Sequence, residues 1–326
     1  MSLKCDAVFQ GGGVKGIGFA GAISALQDKG YKFENVVGTS AGAIAASLVA
    51  VGYTGKEIEH ELKSADFKKF RQKSRFGKFG ILGKTINLSL SYGIYKSDYF
   101  EHWLSGLLEK KNKIYFGDIK TISSDEKYKY KFQAIASDLT DHRMLILPRD
   151  LKLFGIEPDE FPIAKAVRMS MSIPLYYEPF RLKDTSGKVH LIADGGMLSN
   201  YPVWLLDDGT KNPPWPTFGM KFTKVGKSQD NTSQNSTNNI VDYSKSIIST
   251  MMDAGDNYHI SRSNGDFQRS IMIPTLVKIG SRTKTIKTTD FDITSQEGTA
   301  LAENGRNAAL QFLREWDFEN WKKMYR

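Results

Sequence analysis

The sequence predicts an α/β fold whose central sheet is mainly parallel, and two stretches near the N-terminus carry this prediction. They span residues 6–29 and residues 36–45. In each, a short apolar strand runs directly into a tight glycine-containing turn, and a helix follows. Strands that alternate with helices in this way build a parallel sheet covered by helices.

The first stretch joins a strand over residues 6–10 to a helix over residues 17–29 through a glycine-rich loop. Apolar residues at helical spacing predict the helix, which is expected to end at Gly30. The loop contains Gly11, Gly12, Gly13 and Gly16. Consecutive glycines expose backbone N–H groups at the start of the helix, so we favour an oxyanion hole built from Gly11, Gly12 and Gly13.

Two other interpretations of the glycine loop are weaker. Its Gly-x-Gly-x-x-Gly spacing formally matches the dinucleotide-binding fingerprint, which needs an acidic residue at the end of the second strand. Glu34 has about the right spacing but precedes Val36 and Val37, at the start of that strand. A phosphate-binding P-loop would need Gly-Lys-Ser/Thr, which this loop lacks. Lys15 is either a solvated charge or a contact for an anionic head group.

The second stretch carries Gly-x-Ser-x-Gly at residues 38–42, the pattern of a nucleophile elbow. Gly38 and Gly42 flank the serine because side chains at these positions would clash in so tight a turn. The hydroxyl of Ser40 would then be exposed at the positive end of the next helix. The alternative is that Ser40 only caps this helix, a position that serine favours in any protein.

Composition and charge set the outer limits of the function. The chain has 326 residues, ordinary apolar and charged fractions of 40% and 25%, and a net charge of +9. A single cysteine, Cys5, excludes an internal disulfide, and a cytoplasmic location is expected, peripheral at a membrane if the protein contacts lipid. The positive charge favours anionic partners. Nucleic acid is not expected, because the basic residues are scattered except around residues 68–84.

Residues 53–128 are the least regular part of the sequence. A surface helix is predicted over residues 55–70 and another over residues 98–108. Between them, residues 75–95 combine Arg75, Lys78 and Lys84 with aromatic and aliphatic residues. This segment is either a loop packed on the core or a lid that contacts anionic membranes.

The middle of the chain offers two candidate acids after predicted strands. Residues 130–137 and 144–147 are predicted strands, and Asp138 follows the first of them. Residues 189–193 form another, which ends in Asp194-Gly195-Gly196, where an active-site acid belongs. An aspartate beside two glycines is also a common turn former.

A helix that starts near Ile163 must stop before Pro174. Arg168, Ser170 and Ser172 are interpreted as residues that close this helix.

The C-terminal third completes the same fold, so one domain over residues 1–326 is predicted. Its motif-bearing core is residues 5–204, and residues 215–320 complete it. The predicted elements are strands over residues 218–222 and 270–279 and helices over residues 240–258 and 296–314. The polar residues 224–239 are expected to form a flexible loop.

Three motifs in this order resemble the patatin-like phospholipases: the glycine loop of residues 11–16, the serine turn of residues 38–42, and Asp194-Gly195-Gly196. The Ser-x-Ser-Ile-Pro of residues 170–174 and the Asn-Tyr-Pro of residues 200–202 are similar to lesser blocks of that family. The resemblance implies a three-layer α/β/α sandwich of patatin type. It also implies a lipid acyl hydrolase of phospholipase A type with no cofactor and no metal, in which Ser40 is the nucleophile and Asp194 the proton acceptor.

Two alternatives remain open at the level of the sequence. A Ser-Asp-His esterase needs its histidine after the acid, and only His259 follows Asp194. His259 lies in a polar stretch of a predicted helix, where a surface role is more common. The other alternative is a non-catalytic membrane-binding protein on the same scaffold. Intact Ser40 and Asp194 favour an enzyme.

Overall fold

A computed structural model of the chain describes residues 3–73, 91–207, 209–223, 250, 265–288 and 290–326. Three predicted features therefore lie wholly or mostly outside the described residues. They are the candidate membrane segment of residues 75–95, of which only 91–95 are described, the polar loop of residues 224–239, and the helix of residues 240–258. His259 also lies outside them.

Within the described residues the chain forms thirteen strands and seven α-helices. The strands are β1 Leu3–Phe9, β2 Tyr31–Thr39, β3 Gln72–Lys73, β4 Gly93–Lys96, β5 Phe132–Asp138, β6 Arg143–Leu147, β7 Leu175–Tyr177, β8 Phe180–Lys183, β9 Val189–Asp194, β10 Thr217–Thr223, β11 Ser270–Pro274, β12 Leu276–Ile279 and β13 Arg282–Thr285. The helices are α1 Ile17–Asp28, α2 Ala41–Val51, α3 Gly55–Ser64, α4 Asp98–Lys110, α5 Ile163–Ser170, α6 Ser295–Glu315 and α7 Phe318–Tyr325.

The central sheet has the strand order β11-β10-β1-β2-β5-β9-β8, with β6 paired to β5. The neighbours from β11 to β5 are parallel, whereas β6, β8 and β9 are added in antiparallel pairs. This confirms the predicted α/β class and its mainly parallel sheet. The structure also contains two small sheets, β12–β13 and β3-β4-β7.

Successive side chains of the central strands enter different cores, because residues in a strand point alternately to its two faces. In β1, Phe9 belongs to the larger core with α1, α2, α5 and α6, while its neighbour Val8 belongs to a second, smaller core. Val36 and Val37 of β2 divide in the same way. Among the described residues, the short turn Val203–Leu206 covers the second face.

Two predicted element boundaries are wrong for local reasons. The helix predicted over residues 55–70 ends at Ser64, and the Asp66 carboxylate then accepts the Lys68 N–H and starts a separate short turn. The strand predicted over residues 270–279 is split at Pro274, since proline cannot donate to a strand ladder. No helix in the described part of the chain is both long and apolar enough to cross a bilayer.

Candidate active site

Ser40 occupies a strained turn between β2 and α2. Its backbone has φ 53° and ψ −124°, a left-handed conformation that non-glycine residues adopt at a cost of about 1–3 kcal/mol. A Cβ on Gly38 would lie 2.2 Å from the Gly42 carbonyl oxygen, and a Cβ on Gly42 would lie 2.1 Å from the Phe9 carbonyl oxygen. Both glycines are therefore required by close backbone contacts, as the sequence pattern predicts.

The side chain of Ser40 does not cap α2. Ser40 stands at the N-cap position, but its hydroxyl makes no capping hydrogen bond to the described first turn of the helix. Its backbone N–H instead donates to the Ser170 hydroxyl, 2.9 Å away at the end of α5. The capping interpretation of Ser40 thus lacks the contact on which it depends.

The register along β5 brings Asp194 to Ser40. Thr39, the last residue of β2, pairs with Ile135, and Asp194, the last residue of β9, pairs with the next residue, Ala136. One edge of β5 is occupied by β6, which pairs along residues 134–138. Both β2 and β9 must therefore pair with the other edge of β5. The carboxyl ends of these two strands therefore meet end to end, and the residues that follow each strand lie together.

Burial controls the charge state of Asp194. The residue is 1% exposed, and this burial raises the pKa of its carboxyl to about 6, although the Ser40 hydroxyl and the Gly196 N–H both lower it in part. The Gly196 N–H donates to Oδ1 at 2.7 Å. Oδ2 has no hydrogen-bond partner among the described residues. The Ser40 hydroxyl is thus close enough to influence the carboxylate without forming a standard hydrogen bond to it.

The glycine loop lies against Ser40 at the same edge of the sheet. A Cβ on Gly11 would lie 3.3 Å from the Ser40 Cβ and 2.1 Å from Asn200 Oδ1. The Gly11 N–H donates to the Asn200 carbonyl at 3.0 Å, so it is already engaged. Of the three loop glycines, Gly12 and Gly13 have N–H groups without a protein acceptor among the described residues.

Two short segments connect the Ser40 turn, Asp194 and the glycine loop through hydrogen bonds. The Ser199 carbonyl accepts a hydrogen bond from the Thr39 hydroxyl at 2.9 Å. The Asn200 carbonyl accepts one from the Gly11 N–H. At the end of α5, the Ser172 carbonyl accepts a hydrogen bond from the Asp194 N–H at 2.9 Å. The nearby Ser170 hydroxyl accepts one from the Ser40 N–H.

The interpretation of Ser170 as a residue that merely closes a helix is therefore incomplete, because its hydroxyl contacts the Ser40 turn. Ser172 does close α5, since its hydroxyl donates to the Arg168 carbonyl at 2.7 Å. Arg168 itself contacts acids of α4, with its guanidinium 2.9 Å from Asp98 and 2.7 Å from Glu101.

The remaining predicted glycines have structural positions beside Ser40 and Asp194. A Cβ on Gly16 would lie 3.4 Å from the Ala41 Cβ, and one on Gly195 would lie 2.2 Å from the Ile135 carbonyl oxygen. Gly196 donates to Asp194, as described above. Lys15 lies beside the loop with its Nζ 5.0 Å from the centre of the Phe222 ring. Its contact with a substrate head group stays a prediction.

The second candidate acid, Asp138, is engaged elsewhere. Its carboxylate accepts the Arg143 Nε–H at 3.2 Å and lies 2.9 Å from His190 Nδ1. Asp138, Asp141 and His190 lie close enough together to hold a metal ion. However, Arg143 contacts both carboxylates, and Lys188 lies 2.6 Å from Asp141. These cations balance the acids, so the arrangement is an ion-pair network.

Comparison with known proteins identifies the family. The model of the family described as patatin-like phospholipase matches residues 7–207. This range is close to the predicted motif-bearing core. The chain is also 38% identical over 314 residues to "Uncharacterized protein YqhO" of Bacillus subtilis (strain 168), a match that covers 96% of this chain and 99% of that protein. The chain therefore belongs to the patatin-like phospholipase family.

More distant matches agree with this assignment. "Probable lipid hydrolase 463L" of Invertebrate iridescent virus 6 is 26% identical over 207 residues, which are 60% of this chain and 61% of the viral protein. Among solved structures, VipD from Legionella pneumophila superposes with a TM-score of 0.53 at 20% identity, over 95% of this chain. The chain spans 66% of that structure. At this identity the superposition shows the shared fold.

Proposed function

We propose that this protein is a lipid acyl hydrolase of phospholipase A type, which cleaves an acyl ester with Ser40 as nucleophile and Asp194 as base. The observation that carries the proposal is the buried Asp194 carboxylate. Its Oδ2 lacks a partner among the described residues and lies beside the hydroxyl of a strained serine turn. Membership of the patatin-like phospholipase family and the viral relative named as a lipid hydrolase support a lipid ester as the substrate.

In the proposed first step, Oδ2 of Asp194 accepts the hydroxyl proton of Ser40 while Oγ bonds to the ester carbonyl carbon. The carbonyl oxygen becomes an oxyanion, to which the N–H groups of Gly12 and Gly13 donate. The tetrahedral intermediate then collapses, and the C–O bond to the alcohol breaks. The alcohol leaves with the proton held by Asp194, and the acyl group stays on Ser40.

Water completes the reaction by the same route. It gives a proton to Asp194 and bonds to the acyl carbon, and Ser40 recovers that proton as the fatty acid leaves. A carboxylate with the reference pKa of about 3.9 would be a poor base. Burial raises the pKa of Asp194 to about 6, nearer to the pH at which it must accept a proton.

The decisive experiment is a panel of phospholipids and neutral lipid esters, with the products identified by mass spectrometry. Wild-type protein is expected to release fatty acid from at least one class of lipid, and Ser40→Ala from none. A fluorophosphonate probe should label the wild-type protein at Ser40. If neither labelling nor fatty-acid release occurs, the non-catalytic membrane-binding alternative is favoured.

The pH dependence of hydrolysis should report the state of Asp194. Since only the charged carboxylate can accept the proton of Ser40, kcat/KM on a soluble short-chain ester should rise with pH through an apparent pKa of about 6. Below that value it should fall about tenfold per pH unit. Rates measured from about pH 4 to 9, with circular dichroism as the control for folding, test this. A profile that is flat across this range would contradict the assignment of Asp194 as base.

The Ser-Asp-His alternative predicts a different result for His259, which lies outside the described residues. We expect His259→Ala to keep kcat/KM within a few-fold of wild type, since Asp194 accepts the proton directly from Ser40. His102→Ala is a suitable control because His102 lies on the exposed side of α4. A loss of about a thousandfold in His259→Ala alone would favour a triad, as this is the size expected for a general base.

A further inference from the structure

A second cleft lies at the opposite end of the central sheet from Ser40. It has a volume of about 550 Å³ and lies between the first residues of β2, Lys131 before β5, and the C-terminal ends of α1 and α2. Lys32 lines it, whereas Ser40 follows the other end of the same strand. At about 3.3 Å per residue these two residues are about 25 Å apart, so the cleft is separate from the catalytic site.

Three lysines line this cleft without a partner. Lys32 and Lys56 are exposed and Lys131 is half-buried. None of the three side chains makes an ion pair, hydrogen bond or ring contact with any described residue. We call the cleft bounded by Lys32, Lys56, Lys131 and Ser24 the lysine cleft.

The acids near these lysines form their ion pairs with other cations. Asp28, at the edge of the lysine cleft, lies 2.9 Å from Arg306, and Glu34 lies 3.3 Å from Lys4. On the neighbouring helices, Glu57 is paired with Lys111 at 2.8 Å. Lys32, Lys56 and Lys131 therefore have no ion-pair partner among the described residues.

A buried hydroxyl beside the lysine cleft also lacks a hydrogen-bond partner among the described residues. Ser24 is 5% exposed and lines the cleft, and its Oγ has no hydrogen-bond partner among the described residues. The nearby amide oxygen of Gln27 accepts the Gly55 N–H at 2.8 Å and is engaged. The lysine ammonium groups can only donate hydrogen bonds, and the Ser24 hydroxyl can donate as well as accept, which suits an anionic ligand.

Within the described contacts, the lysines of the lysine cleft do not cap the helix ends beside it. The C-terminal ends of α1 and α2 each contribute about half a negative elementary charge, which could attract cations. No side chain of Lys32, Lys56 or Lys131 bonds to the last carbonyl oxygens of these helices among the described contacts. Those carbonyls accept backbone N–H groups such as those of Lys29 and Gly52.

Burial makes the charged form of Lys131 less favourable. It lowers the pKa of Lys131, and the charge of Lys113 adds to the effect, while Glu34 opposes it only in part. A bound anion would relieve this cost, because an opposite charge close by favours the ammonium form.

We propose that the lysine cleft binds the phosphate group of a small organic anion, with Lys32, Lys56, Lys131 and the Ser24 hydroxyl as its ligands. Lysine is a point charge that suits phosphate, and a phosphate monoester carries nearly two negative charges on one group, whereas a carboxylate carries one. The volume fits an organic molecule larger than phosphate itself. Phe33, Val49 and Tyr53 line the same cleft and provide an apolar surface for the remainder of the ligand.

Calorimetry with phenyl phosphate tests the proposal, since this probe joins a phosphate to an aromatic ring. Wild-type protein is expected to bind it with a Kd below about 1 mM. The variant K32Q/K56Q/K131Q should weaken binding at least about tenfold, and Ser24→Ala a few-fold, because hydrogen bonds to charged groups are being removed. The control K183Q/K278Q/K323Q makes the same change in net charge at exposed lysines that form no ion pair with any described residue. It should bind phenyl phosphate like wild type.

Further probes identify which anionic group binds and whether it belongs to a lipid. Phthalate is also an aromatic dianion, and it should bind more weakly than phenyl phosphate. Vesicles of phosphatidylcholine with phosphatidic acid test whether the phosphate belongs to a lipid head group. If vesicle binding depends on the three lysines, the ligand is a lipid head group. If phenyl phosphate binds but vesicle binding does not depend on the lysines, the ligand is a soluble phosphate ester. Both outcomes support a phosphate site.

Three outcomes would overturn the proposal: no phenyl phosphate binding to the wild type, equal binding by both triple variants, or binding of phthalate as tight as that of phenyl phosphate. Hydrolysis of a soluble ester should be unchanged in both triple variants. This measurement tests the phosphate site independently of the proposed catalytic dyad. If the dyad proposal is wrong, the binding results for the lysine cleft still stand.

Discussion

Replacing either Ser40 by alanine or Asp194 by asparagine is expected to lower kcat/KM for ester hydrolysis by at least about ten-thousandfold. The double variant should be little worse than the more severe single variant. Ser40 cannot lose its proton without the carboxylate, and the carboxylate has nothing to activate without Ser40. Residues that act as a unit are therefore strongly non-additive. The rates should be measured on both a soluble short-chain ester and the best lipid substrate.

A matched serine variant controls for loss of structure. Ser47 is also fully buried in α2, and its hydroxyl only donates to the Ile44 carbonyl at 2.8 Å. Ser47→Ala should keep the wild-type rate. Near-wild-type activity in either Ser40→Ala or Asp194→Asn would rule out the dyad.

The stability of Asp194→Asn should separate chemistry from folding. Because burial raises the pKa of Asp194 from 3.8 to about 6, the stability associated with its protonated form is lost as pH rises through about 6. At about 1.4 kcal/mol per pKa unit, the charged form costs the folded protein about 3 kcal/mol at pH 8. Asparagine carries no charge and can still accept the Gly196 N–H. The variant should therefore be inactive yet at least as stable as wild type in urea unfolding at that pH.

The parts of this site that sequence reasoning could predict are those with a strict local backbone requirement. Gly38 and Gly42 have to be glycine because the turn brings their Cα atoms against main-chain oxygens. Such a requirement appears as a short pattern around Ser40. The order of the strands then places the glycine loop beside that serine, since parallel neighbours end at the same edge of a sheet.

The contacts that could not be predicted join residues far apart in the chain. Ser40 and Ser170 are 130 residues apart, and nothing in the helix pattern of α5 indicates that its last hydroxyl accepts the N–H of Ser40. The end-to-end meeting of β2 and β9 also depends on a register along β5. The lysine cleft is a third case, because Lys32, Lys56 and Lys131 are scattered in sequence and become neighbours only in the fold.

The glycine loop is expected to be the next most sensitive part of the site. Gly13 has φ +57°, and a Cβ there would lie 2.0 Å from the Thr288 carbonyl oxygen. The Val14 N–H donates to the same carbonyl at 3.2 Å, so Thr288 fixes this part of the loop. In Gly13→Ala the loop must move, and the N–H groups of Gly12 and Gly13 would leave the oxyanion. We expect kcat to fall about a hundredfold or more, the usual effect of losing one such donor, with a smaller change in KM.

Gly30→Ala is the matched control for this glycine. Gly30 also has a positive φ, +87°, but a Cβ there would meet nothing within 4 Å. The two variants share the backbone strain of alanine in a left-handed conformation, about 1 kcal/mol, and differ in the clash with Thr288. Gly30→Ala should lower Tm slightly and leave kcat unchanged. A folded Gly13→Ala with wild-type kcat would show that the loop does not bind the oxyanion, because the clash requires its N–H groups to shift.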